Sequence, residues 1–181
     1  AAVLERGLVQ PGTVVSTPSD YRVGPKRVRD EHPHDSLTVT EIIQKSSNIG
    51  AAKLAMMLSP QQYWDVLNRT GFGQLPGSGF PGETAGRLRD YPAWKPVEQA
   101  TMAYGYLSVS LLQLARAYMA FANDGEVMPL SFLKREPQEI VGERVFSSAV
   151  AREVRTMMEA VTQEGGTGTR TRVPGYRVAG K

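Results

Sequence analysis

The chain has 181 residues, 41% of them hydrophobic, and a net charge of +3. That length and apolar share suit one domain with a real core and exclude disorder by composition, while the near-balanced charge leaves no footprint for nucleic acid, so no nucleic-acid partner is expected. The absence of cysteine removes disulfides, thiolate metal sites and a cysteine nucleophile, and no apolar run approaches the ~20 residues that span a bilayer.

Residues 1 to 7 read as the end of a helix stopped at Gly7, so the chain is expected to start inside a longer protein. Residues 8 to 37 hold Pro, Gly and β-branched residues and predict turns with short strands at "TVVST" and "YRVG". The locally basic runs "YRVGPKRVRD" and "GTRTRVPGYR" read as solvated faces. Ser36 or Thr38 can cap a short helix running to about Lys45. A second helix is predicted from Ile49 to about Leu58, apolar almost all round and therefore buried. Ser59-Pro60 is a strong helix start, and Tyr63, Trp64, Val66 and Leu67 form that helix's apolar face. "TGFGQLPGSGFPGETAG" carries six glycines and must be an irregular loop. A helix over Pro96–Ala103 follows, then one over Val109–Ala122, whose polar Ser110, Gln113 and Arg116 recur every third residue and predict one narrow stripe in water. "NDG" closes it with a left-handed glycine. "EVMPLSFLK" and "ERVF" read as short strands. Ser147 or Ser148 caps the last helix, with Val150, Val154, Met157, Met158 and Val161 on one face. "EGGTGTRTR" is expected to be a flexible loop and Tyr176 to Lys181 a strand, cut off at Lys181. The sum is an α+β domain, helix-rich with strands at its edges.

Several strings carry candidate chemistry. "QKSSNIG" puts polar residues between two core-forming stretches. As structure alone, it is a helix stop and restart, because Ser and Asn bond nearby backbone. As a site, the junction projects Ser46 and Asn48 from one rigid corner while Ser47 points elsewhere. A hydroxyl relays a proton, and a carboxamide donates and accepts at once, which serves acyl transfer. "GYRVAGK" matches the first seven positions of a phosphate-binding loop. Its inner residues look like a strand rather than a Gly-rich curl, and Lys181 can equally open a Lys-Thr/Ser-Gly strand motif. "EHPHD" holds both histidines, but Pro33 separates them and a solvated turn is the better reading than a metal site. "GGTG" at 165 to 168 is followed by no clear helix, and no carboxylate pair suggests glycoside hydrolysis. "AYGY" sets Tyr104 and Tyr106 around Gly105, where a glycine lets backbone approach a ligand closely.

Taken in order, Ser-x-Asn between two helices, "GFPGETAG", "QATMAYGY", "LLQLARAY" and "PGYRVAGK" resemble a penicillin-binding protein transpeptidase domain. The closest likeness is to the class B, division-specific enzymes that cross-link septal peptidoglycan in Gram-negative bacteria. The ordered set spans essentially the whole chain and is far more specific than any one string. The related signature is S-x-x-K, S-D-N and K-T-G. Ser46-Ser47-Asn48 stands in its second place and Lys181 would open the third, so the chain is expected to be a partial domain that starts after Ser-x-x-Lys. One departure stands out: the family usually has a further glycine after the second tyrosine, where this chain has Leu107.

The resemblance implies the helix-rich part of the penicillin-binding protein and serine β-lactamase-like fold, with edge strands of an incomplete antiparallel sheet. It also implies serine acyl transfer without cofactor or metal. Catalytic residues carried over are Ser46, Asn48 and Lys181, and substrate-binding ones Ser47, Tyr104, Gly105 and Tyr106. Implied partners are peptidoglycan stem peptides, their lipid-linked precursor, β-lactams as covalent inhibitors of the full-length protein, and membrane proteins of the division machinery. The implied location is the periplasmic face of the inner membrane, on an anchor outside this chain. Two other readings are carried: a non-catalytic relative that binds cell-wall peptides or a partner protein, and a phosphate-loop nucleotide-binding protein.

Overall fold

The computed structural model describes residues 1–136 and 140–181. Helix α1 (Ala2–Glu5) is followed by strands β1 (Val14–Ser16), β2 (Tyr21–Val23), β3 (Lys26–Val28) and β4 (Ser36–Thr38). Helices α2 (Val39–Gln44), α3 (Asn48–Ala55) and α4 (Pro60–Arg69) come next, then the Gly-rich loop. A short 3₁₀ turn (Tyr91–Ala93), α5 (Pro96–Met102), α6 (Leu111–Ala122), β5 (Glu126–Val127), β6 (Glu143–Arg144), α7 (Ser148–Ala160) and a second 3₁₀ turn (Thr169–Thr171) complete the order. Strands form three separate antiparallel pairs, β1 with β4, β2 with β3, and β5 with β6. No helix of the described residues is long and apolar enough to cross a membrane.

Helix starts follow the capping chemistry. Thr38, not Ser36, caps α2, and Glu41 reaches back to the Thr38 N–H in a capping box. Ser36 lies in β4, paired with Ser16. Ser59 caps α4 in the same way with Gln62, and Pro60 is its first residue. Ser147 caps α7, which buries Val150, Val154, Met157 and Met158 at the expected spacing and packs on both α2 and α6.

Two apolar clusters organise the chain. The larger gathers Val15, Leu37, Val39, Ile42, Phe146, Val154 and Met157 with their neighbours. The smaller gathers Val23, Val28, Ile49, Ala52 and Ala100, with Tyr21 and Tyr104 packed against it. Helix α2 thus roots in one cluster and α3 in the other. The two helices meet closely at Gly50, where a Cβ would lie 2.4 Å from the Ile42 side chain, so glycine is required there by space. Met56 and Met57, expected within the buried second helix, lie beyond its end and are exposed.

The predicted wet stripe of α6 is reversed. Ser110 is the N-cap, and Gln113 is 1% exposed while Leu111 is 86% exposed. The Gln113 amide donates to the carbonyls of Gln74 (2.8 Å), Ala85 (2.8 Å) and Gly71 (3.3 Å), and its oxygen accepts from Ser110 N–H. One buried carboxamide thereby ties both ends of the Gly-rich loop to α6. Gly86 allows the close pass, because a Cβ there would meet the Ser108 carbonyl at 2.3 Å. Gln99 plays the same part for α3, donating to the carbonyls of Ala55 and Leu58 at its C-terminal end.

The expected strand at Tyr176–Lys181 forms no ladder among the described residues. Its backbone groups go to α7 and the turn that follows it instead. Gly180 N–H donates to the Met158 carbonyl (3.2 Å), and the Val178 carbonyl accepts from the Thr162 hydroxyl (3.0 Å).

Replacing Gln113 by Leu leaves three carbonyls without that donor and should cost about 2–4 kcal/mol, read as a lower urea midpoint at unchanged slope. Leu111→Ala, on the same helix but exposed, should stay within about 0.5 kcal/mol of the parent. Equal midpoints for the two variants would show that the clamp contributes nothing.

Candidate active site

The α2–α3 junction is built by two opposed backbone demands. Ser47 N–H bonds the Ile42 carbonyl and Ser46 N–H the Ile43 carbonyl, which is the bonding pattern of a Schellman motif closing α2. That motif places its turning residue in the left-handed region, and Ser46 has φ +58°. Glycine usually occupies such a position, and a side chain there costs on the order of 1–2 kcal/mol. A serine held in this conformation points to a use for its hydroxyl.

The next residue starts α3. Ser47 accepts from Gly50 N–H (2.9 Å) and donates to Asp30 Oδ2 (2.6 Å). The other oxygen of Asp30 accepts from Ile49 N–H (2.9 Å), so one carboxylate and one hydroxyl together satisfy the helix start. Ser47 is 4% exposed. Its hydroxyl is committed to capping, although the residue also lines a groove shared with Ser46 and Asn48. Asn48 Nδ2 donates to the Arg29 carbonyl (2.8 Å), leaving one amide N–H and Oδ1 for other partners. Residues 29 and 30, at the end of β3, therefore position the whole corner.

The tail brings the amine. After α7, Gly166 curls the chain where a Cβ would lie 2.1 Å from the Val161 carbonyl. The 164–168 loop then docks on the junction: Lys45 Nζ donates to the Gly165 carbonyl (2.7 Å), and Gln44 Nε2 donates to that of Glu164 (3.3 Å). Thr167 Oγ1 lies 3.5 Å from Ser46 Oγ. Lys181 Nζ donates to Ser46 Oγ. Desolvation holds the Lys181 amine below the usual lysine pKa.

These groups share one groove of about 600 Å³. Ser46, Asn48 and Ile43 line it from the junction, Tyr104 and Gly105 from the turn after α5, and Lys181 closes it. An apolar lining with a few convergent polar heads is the usual form of a ligand site. Gly105 has φ +121° and open space where a Cβ would be, so the backbone conformation, not close approach, requires glycine. The Tyr104 ring packs on the smaller apolar cluster, and its buried hydroxyl has no hydrogen-bond partner among the described residues. Burial first, and the neighbouring Tyr106 second, push the Tyr104 phenol pKa up. Tyr106 is outside the groove. It is 63% exposed, stands edge-on to Tyr104 and lines a different cavity.

The other candidate strings do not join this site. Gly180 of "GYRVAGK" bonds to α7 and Val178 to Thr162 just beyond it, and they do not wrap as a Gly-rich curl. Among the described residues, no group of three or more His, Cys, Asp or Glu could hold a metal ion, and the carbonyls of His34 and Asp35 bond Thr17. A Ser-x-x-Lys string, Ser131 to Lys134, lies on bends rather than a helix. Its Ser131 hydroxyl is taken by Leu133, and it borders another cavity. No local pattern marks Asp30, Arg29 or Thr167 as members of the corner.

A family model, "Penicillin binding protein transpeptidase domain", matches residues 1–181. The chain is 50% identical over 164 residues to the probable peptidoglycan D,D-transpeptidase PenA of Neisseria gonorrhoeae, a match covering 89% of this chain and 28% of that protein. It is 38% identical over 177 residues to the peptidoglycan D,D-transpeptidase FtsI of Escherichia coli K12, covering 97% and 30% respectively. The apo TP domain of Burkholderia pseudomallei penicillin-binding protein 3 superposes with a TM-score of 0.95 at 48% identity, covering 98% of this chain and 55% of that one. A crystal structure of a peptidoglycan glycosyltransferase from Burkholderia ambifaria gives 0.96 at 50% identity, covering 99% and 58%. The chain thus spans less than a third of the length of these two curated relatives.

Ser47→Ala should destabilise the protein by about 1–2 kcal/mol through the lost cap and the stranded Asp30. Ser46→Gly should be at least as stable as the parent, because glycine removes the left-handed strain; a loss comparable to that of Ser47→Ala would contradict this division of labour. Because the folded-state pKa of Lys181 is lowered, its charged form opposes folding at neutral pH, and that cost is relieved as pH rises through the folded value toward 10.5. An NMR titration of its ε-methylene should therefore show a midpoint below 10.5; one at or above it would take the ammonium out of the groove.

Proposed function

The chain belongs to the penicillin-binding protein transpeptidase family, and from that premise we propose that its groove is one wall of a site for serine acyl transfer on peptidoglycan stem peptides. The observation that supports it is the Lys181 ammonium against the Ser46 hydroxyl, with Asn48 on the same corner. The nucleophilic serine and its lysine come from a Ser-x-x-Lys segment outside this chain, since Ser131 has neither the helix nor the free hydroxyl. That serine attacks the carbonyl of the penultimate D-alanine, with backbone N–H groups holding the oxyanion. The terminal D-alanine leaves as its amine takes a proton, and an amine from a second strand then takes the acyl group.

In this scheme the lysine of Ser-x-x-Lys takes the nucleophile's proton, and Ser46, which accepts from Lys181, passes its own proton to the leaving amine and regains one from that lysine. Lys181 supplies positive potential, which draws the substrate's terminal carboxylate and favours loss of the Ser46 proton. Asn48 offers its remaining amide N–H to the substrate carbonyl and its oxygen to the absent lysine's ammonium. The scheme calls for no metal or cofactor. β-Lactams, as mimics of the D-Ala-D-Ala end, acylate the same serine. The likeness to FtsI supports a septal role at the periplasmic face of the inner membrane, acting on strands made from a lipid-linked precursor beside membrane proteins of the division machinery.

Losing the relay hydroxyl should cost on the order of 10²-fold or more in rate. Stopped-flow acylation of the complete protein by a chromogenic β-lactam should show that loss for Ser46→Ala, and acylation at the parent rate would remove Ser46 from the mechanism. The 181-residue chain by itself should not be labelled by fluorescent penicillin.

A further inference from the structure

A second cavity, of about 410 Å³, is built on the same turn as the groove but shares no lining residue with it. Trp94 and Tyr106 give it aromatic walls, Met102 and Leu107 an apolar surface, and Arg87 and Arg89 two guanidinium groups. Arg89 is engaged: Nη1 pairs with Glu98 (2.6 Å) and Nη2 donates to the Ala93 carbonyl (3.4 Å). Arg87 is held only by its backbone, whose N–H donates to the Ser108 carbonyl (2.8 Å). Its guanidinium has no hydrogen-bond or ion-pair partner among the described residues. The Lys26 ammonium lies 5.4 Å from the centre of the Tyr106 ring, adding positive potential beside that wall. The one carboxylate lining the cavity, Glu98, is held by Arg89 and by Lys95 N–H. The indole N–H of Trp94 donates to the Arg89 carbonyl (2.9 Å), which fixes that wall.

We propose that this cavity is a subsite for a carboxylate carried on a peptide, bound by Arg87 with the peptide's aliphatic stem lying across Trp94 and Tyr106. A free guanidinium matches a carboxylate with paired N–H donors, and aromatic and apolar walls suit the carbon chain that carries it. The turn Ala103–Tyr106 belongs to both spaces, so a peptide in the groove has only this turn to cross. That placement of the peptide rests on the proposed acyl-transfer reading; the affinity of the cavity for an acidic peptide does not.

The test is a titration of the protein with acetyl-Glu-Glu-Glu-amide and, separately, acetyl-Gln-Gln-Gln-amide, followed by the indole N–H signals of its two tryptophans. The acidic peptide should move the Trp94 signal and leave that of Trp64, the neutral one should move neither, and added salt should weaken the response. Arg87→Gln, at an exposed position, should weaken binding about tenfold or more, with partial recovery in Arg87→Lys. A Trp94 signal unmoved by the acidic peptide, an equal response to both peptides, or undiminished binding by Arg87→Gln would overturn the proposal. Acylation of the complete Ser46→Ala protein at the parent rate would instead sink the acyl-transfer reading and leave this titration as it stands.

Discussion

Three residues must stop one helix and start another, and the structure of the site depends on how they do it. Helix α2 is anchored in the larger apolar cluster and α3 in the smaller. Their junction therefore lies at a seam between two cores. Ser46 takes the left-handed turn, Ser47 caps the next helix on Asp30, and Asn48 holds the carbonyl of Arg29. Ser46 keeps its whole side chain for the groove, and Asn48 keeps one amide N–H and its oxygen. Ser47 and Asn48 are fastened to the end of β3, and this is why the corner is rigid.

The opposite constraint comes from the tail. Gly166 and Gly168 allow the chain leaving α7 to fold tightly back, Gly168 N–H bonding the Val161 carbonyl (2.8 Å). Gly180 then ties the last residues to the same helix. Because α7 packs directly on α2, a tail fixed to α7 is also fixed relative to Ser46. The lysine reaches the hydroxyl through packing of two helices rather than through a sheet. Its ammonium then sits beside a neutral hydroxyl, and partial desolvation lowers its pKa.

Much of this was legible in sequence where the rule is local. The starts of α2, α4 and α7 follow from hydroxyl caps, and the buried face of α7 from its spacing, because both act within a few residues. The helix junction singles out Ser46 and Asn48 and the family resemblance adds Lys181; all three line one groove. Gln113 was misread because polarity was equated with exposure; a buried amide that satisfies three carbonyls looks identical in sequence to a wet one. Asp30 and Thr167 carried no signal, since their partners at the junction lie 17 and 121 residues away along the chain. The resemblance carries Tyr106 into the site beside Tyr104, but Gly105 at φ +121° turns the chain between them.

The central claim is that the residue-181 amine and the residue-46 hydroxyl occupy one groove. The most direct measurement is a nuclear Overhauser spectrum with labelled lysine and serine. The account predicts cross-peaks from the Lys181 ε-methylene to the Ser46 β-protons, alongside those joining Val178 to Thr162. If the Val178–Thr162 contacts are present and the Lys181–Ser46 ones are missing, the tail is docked but the amine is elsewhere, and the account is contradicted.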